Sequence, residues 1–213
     1  MKMTEERKDG MKKLLAIVGT NSDESTNRQL LNYIKKHFKE EAKIELMEIK
    51  YLPLFDKPDN YEPSKQIKEM AQKIEQSDGV IIASPEYDQS VPAVLLNALA
   101  WLSYKIYPFV DKALMIVGAS YGRLGSSRAQ NHLRQILNAP ELKARTMPSN
   151  EFLLGYSLKA FDEKGNLIFP EKVEELEGIF AEFMEFIDIM KQLPVKHRKN
   201  LEYTEKYSWE ALD

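Results

Sequence analysis

Five times along this chain a short apolar run gives way to a stretch whose apolar residues recur at helical spacing. The runs are KLLAIVG (13–19), KIELMEI (43–49), GVIIASPEY (79–87), KALMIVGAS (112–120) and the weaker KARTMPSNEFL (143–153). Several are continuous rather than alternating, which suits strands covered on both faces. The helical stretches fall at 25–38, 64–77, 91–104, 125–139 and 171–193. Strands alternating with helices imply parallel pairing, right-handed crossovers and helices on both faces of one sheet. A loop with three prolines (50–64) and the charged segments at the two ends lie outside this pattern.

Five such units favour the flavodoxin-like strand order 2-1-3-4-5 over the longer dinucleotide fold or a barrel. The expected class is therefore α/β, a doubly wound five-stranded parallel sheet. With 213 residues, 43% of them hydrophobic, the chain is long enough for one substantial core. The expected organisation is a charged leader (1–11), one domain (12–193) and a C-terminal tail (194–213). That tail keeps Tyr203, Tyr207, Trp209 and Leu212, more apolar anchors than a solvated tail needs, which leaves docking on the body or a partner subunit and ordinary terminal disorder as equal alternatives.

Thirty basic residues against thirty-three acidic ones leave a net charge of −3, which provides no broad attraction for nucleic acid or anionic lipid. Without cysteine there can be no disulfide, thiolate zinc site or iron–sulfur cluster, and His37, His132 and His197 are scattered, so no metal is expected. No signal peptide or membrane-length apolar run is visible, and the expected location is the cytoplasm.

In open parallel sheets ligands lie beyond the carboxyl ends of the strands. Three loops fall there. The first, GTNSDESTNRQLL (19–31), offers Thr20, Ser22, Ser25, Thr26 and Asn27 ahead of a helix start, a combination that binds an anion and also caps a helix. It has no Gly-Lys-Ser/Thr ending and no second glycine near Gly19, so neither a triphosphate loop nor a dinucleotide loop fits; a phosphate monoester does. The second, SPEYDQSVP (84–92), is stiffened by Pro85 and Pro92 and carries Tyr87. The third, GASYGRLGSS (118–127), has three glycines around Tyr121, which would let backbone approach a flat ring. Each loop could equally be a plain turn. Their convergence on one sheet edge is what points to a ligand.

These three loops resemble those of the NADPH-dependent FMN reductase family, over about residues 12–193, with Pro85-Glu86-Tyr87 before an Asn-Ala-Leu-x-Trp helix as the most specific match. The resemblance implies FMN as cofactor and NADPH or NADH as co-substrate. It assigns the 5′-phosphate to the first loop, at Thr20, Ser22, Ser25, Thr26 and Asn27. Pro85, Glu86, Tyr87 and Asp88 would lie against the isoalloxazine ring, and Ser120, Tyr121, Gly122 and Gly125 at its pyrimidine edge. Hydride would pass to FMN and on to a flavin, quinone, azo compound or metal oxyanion; the alternative is an electron carrier with no substrate of its own. No catalytic side chain is implied. A homodimer or homotetramer is, with the helix of Leu95, Leu99 and Trp101 as candidate interface, although burial within the same subunit explains that helix equally well.

Departures from the family pattern raise further expectations. Where relatives carry an arginine that pairs with the phosphate, this chain has Ser22, Asp23 and Glu24, so binding would rest on neutral donors, helix N–H groups, or Arg123 and Arg128. Asp88 replaces the usual asparagine, and a negative charge there would lower the flavin potential.

Overall fold

The computed structural model describes residues 10–58, 62–148, 151–193 and 197–207. The elements run β1 (Lys12–Val18), α1 (Thr26–His37), β2 (Ala42–Glu48), α2 (Lys65–Gln76), β3 (Gly79–Ala83), α3 (Ala93–Trp101), β4 (Ala113–Ala119), α4 (Ser127–Leu137), β5 (Arg145–Thr146), β6 (Phe152–Leu154), α5 (Pro170–Gln192) and α6 (His197–Tyr207). All strand pairings are parallel, in the order β2-β1-β3-β4-β5. The expected doubly wound sheet is therefore what the chain forms.

Period-two alternation divides each central strand between two cores. Leu14, Ala16 and Val18, with Ile81, Ala83, Met115 and Val117, face the helices α1 and α5. Leu15 and Ile17, with Val80, Ile82, Leu114 and Ile116, face α2, α3 and α4. Both faces bury apolar groups, and that is why these strands read as continuous apolar runs. Phe38, just past α1, stacks on Phe180 of α5 with ring centroids 3.7 Å apart, closing one core at its lower end.

The fifth strand departs from expectation. The run 143–153 makes two short strands on the same edge: β5 pairs Ala113 and Leu114, and β6 pairs Val117 through Ala119. Met147 still donates its N–H to Leu114 O, but Pro148 has no N–H to continue the ladder. The interruption falls there.

The tail helix α6 packs on the body through polar contacts. Thr204 is buried and donates to Pro140 O, while Asp111 accepts from Asn200 Nδ2 at 2.7 Å and lies 3.3 Å from His197 Nδ1. Residues 1–9 of the leader, and Trp209 and Leu212 of the tail, lie outside the described residues. Among the described residues no helix is long and apolar enough to cross a membrane.

Candidate functional site

β1 has β2 on one side and β3 on the other, so the chain leaves β1 in one direction and β3 in the opposite one. The crevice at such a switch point is where this topology places ligands.

The first loop leaves β1 in close contact with β3. Gly19 donates its N–H to Ala83 O at 2.8 Å, and a Cβ at this position would lie 2.4 Å from the same oxygen, so only glycine fits. Thr20 is fully buried; its hydroxyl accepts from Ser22 N and lies 3.1 Å from the Tyr87 hydroxyl, tying the first loop to the second. Ser25 is the N-cap of α1 and accepts from Arg28 N. Asn27 uses both ends of its amide on β4: Nδ2 donates to Ala119 O at 2.8 Å and Oδ1 accepts from Ala119 N at 2.9 Å. Thr26 shares a 2.9 Å hydrogen bond with Ser157, a residue outside the three loops that no sequence signal marked. The side chains of Thr20, Thr26 and Asn27 are thus occupied in holding the loop together. The first N–H groups of α1 have no partner within the helix, and they remain the donors here.

One of the two acids of this loop is neutralised from outside it, by Lys50. Arg28 grips Glu48 with two hydrogen bonds of 2.6 and 2.9 Å and donates to the carbonyls of Ser22 and Asp23. Its bond to Glu48 raises its pKa above the ordinary arginine value. Asp23 points outward, its side chain 93% exposed, and pairs with Lys50, whose hydrogen bond and charge lower the carboxyl's pKa. Of the two acids Asp23 and Glu24, only Glu24 reaches the cleft wall.

The second loop is a tight turn. Tyr87 and Ser90 exchange both backbone hydrogen bonds, and the two residues between them, Asp88 and Gln89, have φ of 49° and 62°. Positive φ at both central positions is what a type I′ turn requires. Asn and Asp tolerate it better than other side chains, which accounts for an acid or amide at 88 on conformational grounds alone. Asp88 is exposed and stands outside the cleft wall.

Glu86 joins the second loop to the third. Its Oε2 accepts from Arg128 N at 3.0 Å and Ala129 N at 3.3 Å, capping α4 from a distant part of the chain. Ser126, at the N-cap position itself, has φ of 73° and makes no cap hydrogen bond. The positive N-terminus of α4 is therefore already filled by a carboxylate, whereas that of α1 opens into the cleft. Ser90 adds a second tie to α4 through His132 at 2.8 Å.

The third loop is shored up by the segment after β6. Ser120 N donates to Leu154 O, Ser157 N to Ser120 O, and Tyr156 N to Gly122 O. Gly125, at φ 60°, abuts Leu153 so closely that a Cβ would lie 2.6 Å from its carbonyl carbon. It supports the wall without lining it.

Together the three loops enclose a cleft of about 540 Å³. Its wall takes Ser22, Glu24, Ser25, Thr26 and Asn27 from the first loop, Pro85, Glu86 and Tyr87 from the second, and Ala119 through Leu124 with Arg128 from the third. Of the thirteen residues expected at a site, only Thr20, Asp88 and Gly125 stand outside this wall. A larger cleft, about 760 Å³, opens at the amino ends of the strands beside Asp78, Asp111 and Lys112. It lies away from the switch point and has none of the loop chemistry.

The cleft has the attributes that a mononucleotide needs. Its size is that of a small-ligand site, one end presents the first N–H groups of α1, at Thr26 and Asn27, with the Ser25 hydroxyl, and Tyr87 and Tyr121 expose aromatic surface. These residues fit FMN.

Comparison with known proteins agrees with that geometry. Residues 12–159 match the model of the NADPH-dependent FMN reductase family, and the chain belongs to that family. It is an oxidoreductase of the class that works with FMN and NAD(P)H. It is 51% identical over 199 residues to the NADH:(hydroxy)cinnamate reductase subunit CrdA of Vibrio ruber, covering 93% of this chain and 98% of that one. It is 40% identical over 181 residues to the NADH-dependent flavin reductase subunit 2 of Lactobacillus johnsonii, covering 83% and 97%. In fold it is similar to the flavoenzyme NAD(P)H:(acceptor) oxidoreductase FerB of Paracoccus denitrificans, with a TM-score of 0.74 at 24% identity over 84% of this chain and 99% of that one.

Proposed function

We propose that this protein binds FMN in the three-loop cleft and uses it to carry electrons from NADH or NADPH to a small acceptor. The observation that carries this reading is the contrast between two helix N-termini on one wall: Glu86 fills that of α4, and that of α1 is left open to an anion. The 5′-phosphate belongs at the open one, held by the N–H groups of Thr26 and Asn27 and the hydroxyl of Ser25, while Ser22 donates its hydroxyl to Glu24 O at 2.8 Å and shapes the loop beside it. Thr20 and Glu86 act behind the wall. One fixes the Tyr87 hydroxyl and the other fixes the loop to α4, so that Pro85 and Tyr87 form one side of the slot for the ring. Ser120, Tyr121 and Gly122 form the other side, on backbone anchored by Leu154 and Tyr156. Bound FMN supplies the hydride acceptor and the route to the second substrate.

Ser25→Asp tests the phosphate position without removing the cap, because Asp caps a helix as well as Ser does. The variant should keep its thermal stability and lose FMN affinity by about tenfold or more, through like-charge repulsion at the helix start. Unchanged affinity would place the phosphate elsewhere.

Two relatives are named as subunits, and this supports a companion polypeptide as a destination for the electrons, beside free flavin, quinone, azo compound or metal oxyanion. An electron carrier with no substrate of its own would not oxidise NAD(P)H when isolated; steady oxidation by the purified FMN-loaded chain, if measured, would overturn that alternative.

For α3 burial within the chain, rather than an interface, is what the structure has, and support for the expected homodimer or homotetramer lies elsewhere. Leu95, Leu99 and Trp101 of α3 are buried within their own chain, where Asn97 and Trp101 bond Pro53 O and Phe55 packs on Trp101. The loop so anchored holds Tyr51 and Leu54 outward, 92% and 83% exposed. Apolar side chains displayed on a fixed loop suit contact with a second copy. Tyr51→Ser with Leu54→Ser should shift sedimentation from dimer to monomer.

A further inference from the structure

FMN brings one phosphate to the cleft, and the nicotinamide dinucleotide brings a diphosphate after it. On the reading above, on which this inference rests, the α1 N-terminus receives the first. The second must find a cation on the remaining wall.

Most cations near the cleft are engaged. Arg28 is held by Glu48 and by two loop carbonyls, and Lys50 by Asp23. Arg128 lies 3.5 Å from Glu86, a loose pair with half of its side chain exposed. Arg123 differs from all three: it lines the cleft, is exposed, and its guanidinium makes no hydrogen bond or ion pair among the described residues. Its main chain, by contrast, is fixed. Gly155 packs so tightly on the Arg123 carbonyl that a Cβ there would come within 2.5 Å, and the adjacent Gly122 O accepts from Tyr156 N at 3.0 Å. A free cation thus stands on a rigid base at the exposed side of the wall, above a floor of buried Ala119 and Asn27.

We propose that Arg123, with Arg128 beside it, receives the diphosphate of the incoming nicotinamide dinucleotide. Hydride transfer requires the nicotinamide ring to lie against the flavin, and the diphosphate is separated from that ring by one ribose. A residue of the cleft wall is within reach of that group, whereas the 2′-phosphate that distinguishes NADPH sits at the far, adenosine end. Arg123 therefore strengthens binding of NADH and NADPH alike and does not choose between them. A guanidinium suits the task because its fork of donors matches phosphate oxygens in pairs.

The test is anaerobic reduction of the FMN-loaded protein by NADH and, separately, by NADPH, followed by flavin absorbance in stopped flow, for the wild type, Arg123→Ala and Arg123→Lys. In Arg123→Ala the dissociation constant should rise about tenfold for each nucleotide, while the limiting reduction rate and the FMN dissociation constant stay within about twofold. Arg123→Lys should recover part of the loss. Added salt should weaken NADH binding more in the wild type than in Arg123→Ala. An unchanged nucleotide dependence, an effect confined to NADPH, or a loss of FMN affinity instead would each overturn the proposal. If FMN-loaded wild type is reduced by neither nucleotide, the functional reading fails as well, an outcome distinct from failure of Arg123 alone.

Discussion

Asp88 illustrates how a single residue can be read for its charge and turn out to matter for its backbone. At φ 49° it occupies a position that most side chains resist, beside Gln89 at 62°. Replacing Gln89 by Gly should relieve that resistance and stabilise the protein by about 0.5–1 kcal/mol, seen as a higher urea midpoint with an unchanged slope. Asn tolerates the left-handed region as Asp does, so Asp88→Asn isolates the charge. A higher flavin midpoint potential in that variant is expected if the carboxylate senses the ring, and an unchanged one would show that it faces only water. The pair was not legible in the sequence, because Asp tolerates positive φ without requiring it and Gln does not announce it at all. The same holds for Glu86: it was placed at the ring by its motif, but its hydrogen bonds to α4 depend on an approach between residues far apart in the chain.

At the scale of elements, the strands and helices were legible because each has a periodicity of its own. The observed α1 begins at Thr26 behind the Ser25 cap, within a residue of where the capping pattern puts it. Less legible were the elements whose order comes from contacts. The run 143–153 breaks at Pro148, and α6 carries only a weak apolar stripe and is held largely by polar bonds. Asn27 is the clearest case of a contact between elements, since one amide stitches α1 to the end of β4. Asn27→Ala should cost about 3 kcal/mol by denaturant unfolding, because it strands both the N–H and the C=O of Ala119. Asp111 does similar work for α6. Hydrogen bonds from Asn200, His197 and Arg145 outweigh the opposing effect of burial and lower its pKa. A carboxylate lowered in the folded state contributes stability that is present above its unfolded pKa of about 3.9 and is lost as pH falls through the lower folded value. Amide exchange in α6 should therefore accelerate, relative to the sheet, as the solution is acidified through that window, and Asp111→Asn should abolish the acid-dependent part.

For the molecule as a whole, the sheet topology does one thing that matters for function: it delivers three loops, from widely separated parts of the chain, to one switch point. The binding class was legible because the loops carry their signatures locally, and the strand order then dictated that they meet. What remained hidden was the division of labour within the first loop, where Thr20, Thr26 and Asn27 turn their side chains inward as ties while the start of α1 lines the cleft. The most direct test of this account is calorimetric titration of the protein with FMN and with riboflavin. The account predicts one FMN per chain, and riboflavin weaker by about tenfold or more because it lacks the phosphate that the α1 N-terminus holds. Equal affinities, or no uptake of FMN, would contradict it.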